Sequence, residues 1–200
     1  MVQAPPQPLS LQLPPQLSLR VTPEQFAALA AANRELHLER TATGELIVSP
    51  PTGGNTGRRN WSITGELYLW WRNAQEPGEA FDSSTGFELP NGANRSPDAA
   101  WVSQARWDAL SPAQQEGFIP LCPDFVVELR SKNDTLKDLR SKMAEYIENG
   151  AQLGWLMDPK NKRVEIYRPG QAVEVLTNPI ALSGETVLPG FNLSLERVWA

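Results

Sequence analysis

The order of apolar patterns predicts an α/β (α+β) domain, a mixed central β-sheet flanked by helices. Three observations carry this. Segments with helical spacing alternate with short β-branched runs, in the order helix, strands, helix, strands. The run PDFVVELRS, residues 123–131, reads as a strand buried on at least one face. It is followed by a capped amphipathic helix and then by another apolar run, LGWLMDP.

Taken in order, the first twenty residues, MVQAPPQPLSLQLPPQLSLR, are rich in Pro and Gln and are expected to form a flexible or extended arm, with one domain over 21–200. Thr22-Pro23-Glu24-Gln25 opens a short helix: Thr22 caps it, Pro23 takes the first helical position and Gln25 completes a capping box. ELHLERTATGELIVSPP reads as a hairpin, with Leu36 and Leu38 alternating on one strand, a turn near Thr43-Gly44, and Leu46 and Val48 on the other. From about Thr56 to Asn73 the spacing is helical, with Trp61, Leu67, Trp70 and Trp71 among the apolar positions and expected in the core. GEAFDSSTGFELP and RSPDAAWVS are strand-like and joined by a turn at Asn91-Gly92. Residues 104–121 read as a mobile connection with a short helix. A helix capped by Asn133 or Asp134 runs to Asn149 and closes at Gly150, with Leu136, Leu139, Met143, Tyr146 and Ile147 as its apolar stripe. LGWLMDP and RVEIYRPG form a hairpin around DPKNKR, and short β segments continue to Trp199.

Composition narrows the function. A net charge of −5 argues against a surface that coats nucleic acid broadly, but not against a local basic groove. One cysteine, Cys122, cannot build an intramolecular disulfide, and with one histidine, His37, it cannot build a thiolate–imidazole zinc site; Cys122 reads as an apolar filler and His37 as structural or solvent-facing. No apolar run reaches membrane-spanning length and the first residues lack a basic leader, so no secretory signal and a cytoplasmic location are expected.

The strand PDFVVELRS raises the chemical question. Alternation puts Asp124, Val126, Glu128 and Arg130 on one face and Phe125, Val127 and Leu129 on the other. A carboxylate in mid-strand loses hydration and needs a partner. Asp98, after a proline at the start of RSPDAAWVS, can converge with Glu128 on one divalent cation, and magnesium takes such hard oxygen ligands while keeping several waters. Such a centre suits attack of water on a phosphodiester. Lys142 falls on the flank of its helix's apolar stripe, from where its amine can snorkel to the strand ends. Partial desolvation there would bring its pKa into a range useful for proton transfer. The bland alternatives are a turn-capping Asp98, a Glu128 salt-bridged to Arg130 or Arg140, and a solvated Lys142. Asp124 reads as a strand-start residue serving backbone donors. Lys132, Lys137, Arg140 and Lys142 form a basic run that can meet phosphates, and Trp101 and Trp107 are the candidates for stacking on bases.

PD at 97–98, then ExR at 128–130 with Lys142 on the next helix, resembles the PD-(D/E)xK nuclease superfamily. The blocks GELIVSPPTGG, TGFELPNGANRSPDAAWVS, PDFVVELRSKNDTLKDLRSKMAEYIENGAQLGWLMDP and LSGETVLPGFNLSL resemble the Uma2 (DUF820) family of restriction-endonuclease-like proteins, from about Val21 to Trp199. The resemblance implies a restriction-endonuclease-like fold with extra β-hairpins, and a metal-dependent endonuclease that hydrolyses DNA. It implies Asp98 and Glu128 as ligands of Mg²⁺ or Mn²⁺, Lys142 as the lysine migrated from the strand position that Arg130 holds, and Glu66 or Glu45 as a completing acid. Where many relatives carry a histidine after the Gly-rich turn, this chain has Asn55-Thr56-Gly57. DNA is thus the expected partner, and a homodimer is expected because two strand breaks need two sites. The rival readings are a nucleic-acid-binding protein of the same fold without catalysis and, third, a carboxylate-pair glycosidase.

Overall fold

The computed structural model describes residues 18–75 and 77–200; most of the Pro/Gln arm lies outside the described residues. The helix α1 (Pro23–Ala32) has the expected capping box, with Thr22 Oγ1 accepting from Gln25 N and Gln25 returning the bond to Thr22 N. The hairpin β1 (His37–Arg40) and β2 (Leu46–Ser49) turns at Gly44, whose φ of +87° favours glycine. Residues 18–20, expected as the end of the arm, lie along this hairpin: Leu19 O accepts from Leu46 N, and Arg20 bridges Glu45.

The long helix α2 (Gly54–Asn73) is followed by β3 (Gly78–Asp82), β4 (Phe87–Glu88), β5 (Asn94–Arg95) and β6 (Ala99–Ser103). The Asn91-Gly92 turn joins β4 to β5, which pair with β1 in a small sheet, while β3 and β6 pair in the main one. The 104–121 connection holds two short helices, α3 (Gln104–Asp108) and α4 (Pro112–Glu116), and sends Ile119 and Leu121 into the core, so it is packed more fully than expected. Then come β7 (Phe125–Leu129), α5 (Leu136–Glu148), β8 (Leu153–Asp158), β9 (Arg163–Tyr167), β10 (Glu174–Thr177), β11 (Ala181–Ser183), β12 (Asn192–Ser194) and α6 (Glu196–Trp199). Trp199 therefore ends in a helical turn rather than a β segment.

The architecture is mixed α/β. Among the described residues the central sheet has six strands in the order β10-β9-β8-β7-β6-β3. Only β7 and β8 run parallel, because α5 carries the chain back between them. Both faces of this pair are covered, which is why their sequences are near-continuous apolar runs. Phe125, Val127, Leu129 and Trp155 pack against Ile63, Leu67 and Trp70 of α2 and Val198 of α6. Val126 and Leu156 pack on the other face, against Met143 and Tyr146 of α5. Gly154 allows this approach, since a Cβ there would meet Met143. No helix among the described residues is long and apolar enough to cross a membrane.

Several expectations are corrected. Trp61 is not in the core: the buried stripe of α2 is Ile63, Leu67 and Trp70, and Trp61 is 81% exposed. Leu36 and Val48 are exposed, while Leu38, Glu39 and Arg40 are buried, because β1 is covered on both sides. Thr135, not Asn133 or Asp134, caps α5 by accepting from Asp138 N; Asp134 accepts from Ser131 N. Trp101 is buried against Trp70 and has no face free for stacking, and Trp107 packs on Phe81.

Candidate functional site

The ladder between β6 and β7 pairs Ala99 with Val127 and Ala100 with Val126. One step further, Asp98 falls opposite Glu128. Facing positions of an antiparallel pair share a side of the sheet, so the two carboxylates converge at the end where β6 begins and β7 finishes. The sequence-level convergence of Asp98 and Glu128 is what the register produces. Asp98 is half-buried, and both oxygens are held: Oδ2 accepts from Leu129 N at 2.7 Å and Oδ1 from Asn60 Nδ2 of α2 at 2.7 Å.

Glu128 is 4% exposed. Lys142 and Tyr146, one turn apart on α5, both reach its Oε1, at 2.8 and 3.0 Å. Among the described residues no interaction falls on Oε2. Lys142 Nζ also contacts Glu39 Oε1 at 2.8 Å. Glu39 comes from β1; its Oε1 further accepts from Ser96 N, two residues before Asp98, and its Oε2 faces Arg95 at 3.3 Å. Arg95 is tied in turn to Glu145 at 2.6 Å. Three carboxylates thus surround one ammonium at the end of the sheet.

The charges follow from that count. Burial pushes Glu128 up to about 7; Lys142 opposes this, and the negative charges of Asp98 and Glu39 add to it. Burial likewise raises Asp98, against the pull of Leu129 N, Lys142 and Asn60. Burial also works against ionised Glu39, but Lys142 and Arg95 outweigh it and hold Glu39 below the usual carboxylate range. Burial works against the charge on Lys142 too, yet Glu128 and Glu39 outweigh it and raise the amine above its ordinary value. The expected drop in the lysine pKa is therefore corrected: the amine is desolvated but clamped between two acids, so it stays an ammonium.

Asp98, Glu128 and Lys142 are brought together. Glu45 is half-buried in the hairpin turn, its main-chain N bonded to Thr41, and Glu66 is half-buried on α2. Glu66 lies six residues past Asn60, turned by about 240° around the helix, and neither acid is among the main charges acting on Asp98 or Glu128. Arg130 does not share the Glu128 site, because it follows the end of β7 and pairs with Asp158 at 2.8 Å. Arg140 is exposed but pairs with Glu165 at 2.6 Å, and Lys142 turns inward, so among the described residues of the basic run Lys132 and Lys137 are the exposed cations outside the ion pairs described here. Asp124 serves backbone donors as expected, accepting from Ser103 N and pairing with Arg106. Cys122 is buried, its thiol pushed up to about 12 by burial.

Glu39, Asn60 and Tyr146 are site residues that sequence reasoning did not identify. For Glu39 the available signal was an acid alternating with Leu38 on a strand only four residues long. For Asn60 it was a position three residues before Ile63, on the edge of the buried stripe.

The donor set suits a hard divalent cation. Among the described residues no three His, Cys, Asp or Glu side chains are gathered to hold an ion by themselves. Asp98 and the open Oε2 of Glu128 supply two carboxylates, which matches magnesium's habit of keeping water or substrate oxygens in its other positions. Burial does most to raise Glu128, and the smaller contributions of the Asp98 and Glu39 charges are what a cation would relieve.

The chain matches the family model Uma2, described as "Putative restriction endonuclease", over residues 23–196. It is similar to a crystal structure described as "a putative nuclease belonging to DUF820" from Anabaena variabilis: TM-score 0.74, 21% identity, covering 90% of this chain and 97% of the other. Among curated proteins there is no match. The match to the family model over nearly all the described residues shows that this chain belongs to the Uma2 family.

Proposed function

We propose that the protein is a metal-dependent endonuclease that hydrolyses DNA phosphodiester bonds, with Asp98 and Glu128 as the ligands of Mg²⁺ or Mn²⁺. The observation that carries this is the facing placement of the two acids beside a buried ammonium. The family's description and that of the Anabaena structure support it.

A cation held there supplies positive charge to the phosphoryl oxygens and acidity to a water. The protein's own groups do the rest. Asn60 and Leu129 N fix the Asp98 carboxylate. Tyr146 and Lys142 hold Glu128 by Oε1, which aims Oε2 away from them. An ammonium has three donor protons. Glu39 and Glu128 take two on Lys142, and the third is available to a phosphoryl oxygen or the attacking water. Lys142 thus orients and stabilises, and does not act as the base. Glu45 and Glu66 remain proposals only as outer acids.

The test is nicking of supercoiled plasmid with Mg²⁺ or Mn²⁺ and with EDTA, alongside Mn²⁺ titration calorimetry. Asp98→Ala abolishes both cleavage and Mn²⁺ binding; cleavage in excess EDTA refutes the reading. The engagement of Lys142 by two carboxylates favours a second reading, a nucleic-acid-binding protein of this fold without catalysis. That reading predicts no cleavage and no Mn²⁺ binding by the wild-type chain.

A further inference from the structure

The side-chain amide of Asn60 has two ends. Nδ2 donates to Asp98 Oδ1 at 2.7 Å. Oδ1 is buried, and among the described residues no donor reaches it. A buried amide oxygen without a donor loses its hydration and gains no partner, so such an atom in a native fold calls for a group that meets it. The amide is not free to turn over. Asp98 is an acceptor at both oxygens, since Oδ2 takes Leu129 N, and a reversed amide would set oxygen against oxygen. Fixing Nδ2 therefore fixes Oδ1 beside the same carboxylate. The helix behind it is rigid, because Ile63, Leu67 and Trp70 anchor α2 in the core. Size and charge indicate what meets Oδ1. The atom is closed to bulk water. A water oxygen stands about 2.8 Å from an acceptor, whereas magnesium stands about 2.1 Å from an oxygen, so a bare cation enters space that a water does not. Glu39, Asp98 and Glu128 act on one ammonium, Lys142, while Arg95 offsets Glu145; fully ionised, the cluster carries two negative charges in excess, which one divalent cation cancels.

We propose that Asn60 Oδ1 is a direct ligand of the divalent cation held by Asp98 and Glu128, so that α2 supplies the centre with a third, neutral oxygen. The inference rests on the metal reading of the two acids and goes beyond it. Asn60 then has two roles, with Nδ2 orienting Asp98 and Oδ1 on the ion. An amide oxygen is a hard ligand, as such cations require. It lies outside the His, Cys, Asp and Glu side chains, of which no three are gathered among the described residues. It also adds an oxygen without adding a fourth negative charge to a buried cluster.

Two variants separate the ends of the amide. Asn60→Ala removes both, whereas Asn60→Asp keeps an oxygen in the place of Oδ1 and loses the donor to Asp98. Mn²⁺ titration calorimetry of the full chain, without DNA, compares them, and circular dichroism checks that each folds. The ligand role predicts that Asn60→Ala loses about ten-fold or more in Mn²⁺ affinity, while Asn60→Asp binds at least as tightly as the wild type, because a carboxylate is the stronger ligand. A residue that only orients Asp98 gives a different result: Asn60→Asp sets a third acid against Asp98 without a donor and binds as weakly as Asn60→Ala, which overturns the proposal. A wild-type crystal soaked in Mn²⁺ decides the matter without any variant. The anomalous peak lies roughly 2.1 Å from Asn60 Oδ1 as well as from Asp98 and Glu128. A peak on the two acids with Oδ1 about 4 Å away, through a water, overturns the proposal and leaves the two-acid site standing. No Mn²⁺ bound by the wild type overturns both. Mn²⁺ held by all three residues in a chain that does not nick plasmid supports the proposal and removes only the nuclease reading.

Discussion

Glu128→Gln should stabilise the metal-free protein. Glu128 is 4% exposed and its pKa is raised, chiefly by burial, from 4.5 to about 7. For an acid with a raised folded pKa, the folded state prefers the proton, so ionisation costs stability. The cost is absent below about pH 4.5, grows as pH rises to about 7, and is constant above. At about 1.4 kcal/mol per pH unit it reaches about 3 kcal/mol. A glutamine stays neutral and can keep a hydrogen bond to Tyr146 or Lys142. In EDTA at pH 8 the variant should therefore melt roughly 6–12 °C above the wild type, with the gap closing towards pH 4.5. Thermal unfolding followed by circular dichroism across pH 4–9 measures this. Added Mn²⁺ should raise the wild-type midpoint and not that of the variant. A variant equal to or less stable than the wild type at pH 8 in EDTA would refute the claim that the carboxylate cluster stores unfavourable charge.

Other expectations follow from single contacts. Asn60→Ala should weaken Mn²⁺ binding by about ten-fold in calorimetry, because Asp98 Oδ1 loses the donor that orients it; unchanged affinity would remove Asn60 from the site. Gly78→Ala should cost about 1–3 kcal/mol in urea unfolding, since its Cβ would press on the main chain of Val102 and Gln104, which cannot swing aside as a side chain would. Burial disfavours ionised Asp158, but bonds from Asn161 and Arg130 outweigh this and lower its pKa from 3.8. Its contribution is thus present above about pH 3.8 and lost as pH falls below, so the stability gap between wild type and Asp158→Asn should shrink in urea titrations at pH 3 relative to pH 7. Cys122 should not react with a thiol reagent at pH 8 in the native state and should react fully in guanidinium, because burial pushes its thiol up to about 12.

The parts of the fold legible in the sequence are those where one physical rule acts alone. Strands β7 and β8 are covered on both faces, so their continuous apolar runs give them away. Thr22 and Gln25 mark α1 through a local capping box. Asp98 and Glu128 stand out because acids at the start and in the middle of apolar strands need partners, and the flank position of Lys142 follows from helical phase. Glu39 was not legible, since its partners Ser96 and Lys142 come from distant segments and β1 is too short to show a pattern. Trp61 was misread by residue type: Ile63, Leu67 and Trp70 set the phase of the buried stripe, and a residue two before Ile63 is turned about 200° from it. The lysine's protonation could not be read from a helix flank alone, because it depends on two acids from two other strands.

The central claim is that Asp98 and Glu128 hold a divalent cation. A crystal soaked in Mn²⁺, with anomalous density located, tests it most directly. The account predicts a peak within roughly 2.1 Å of an oxygen of each carboxylate, lost in Asp98→Ala crystals. A wild-type crystal with no peak there, or one bound at the hairpin glutamate Glu45 instead, would contradict it.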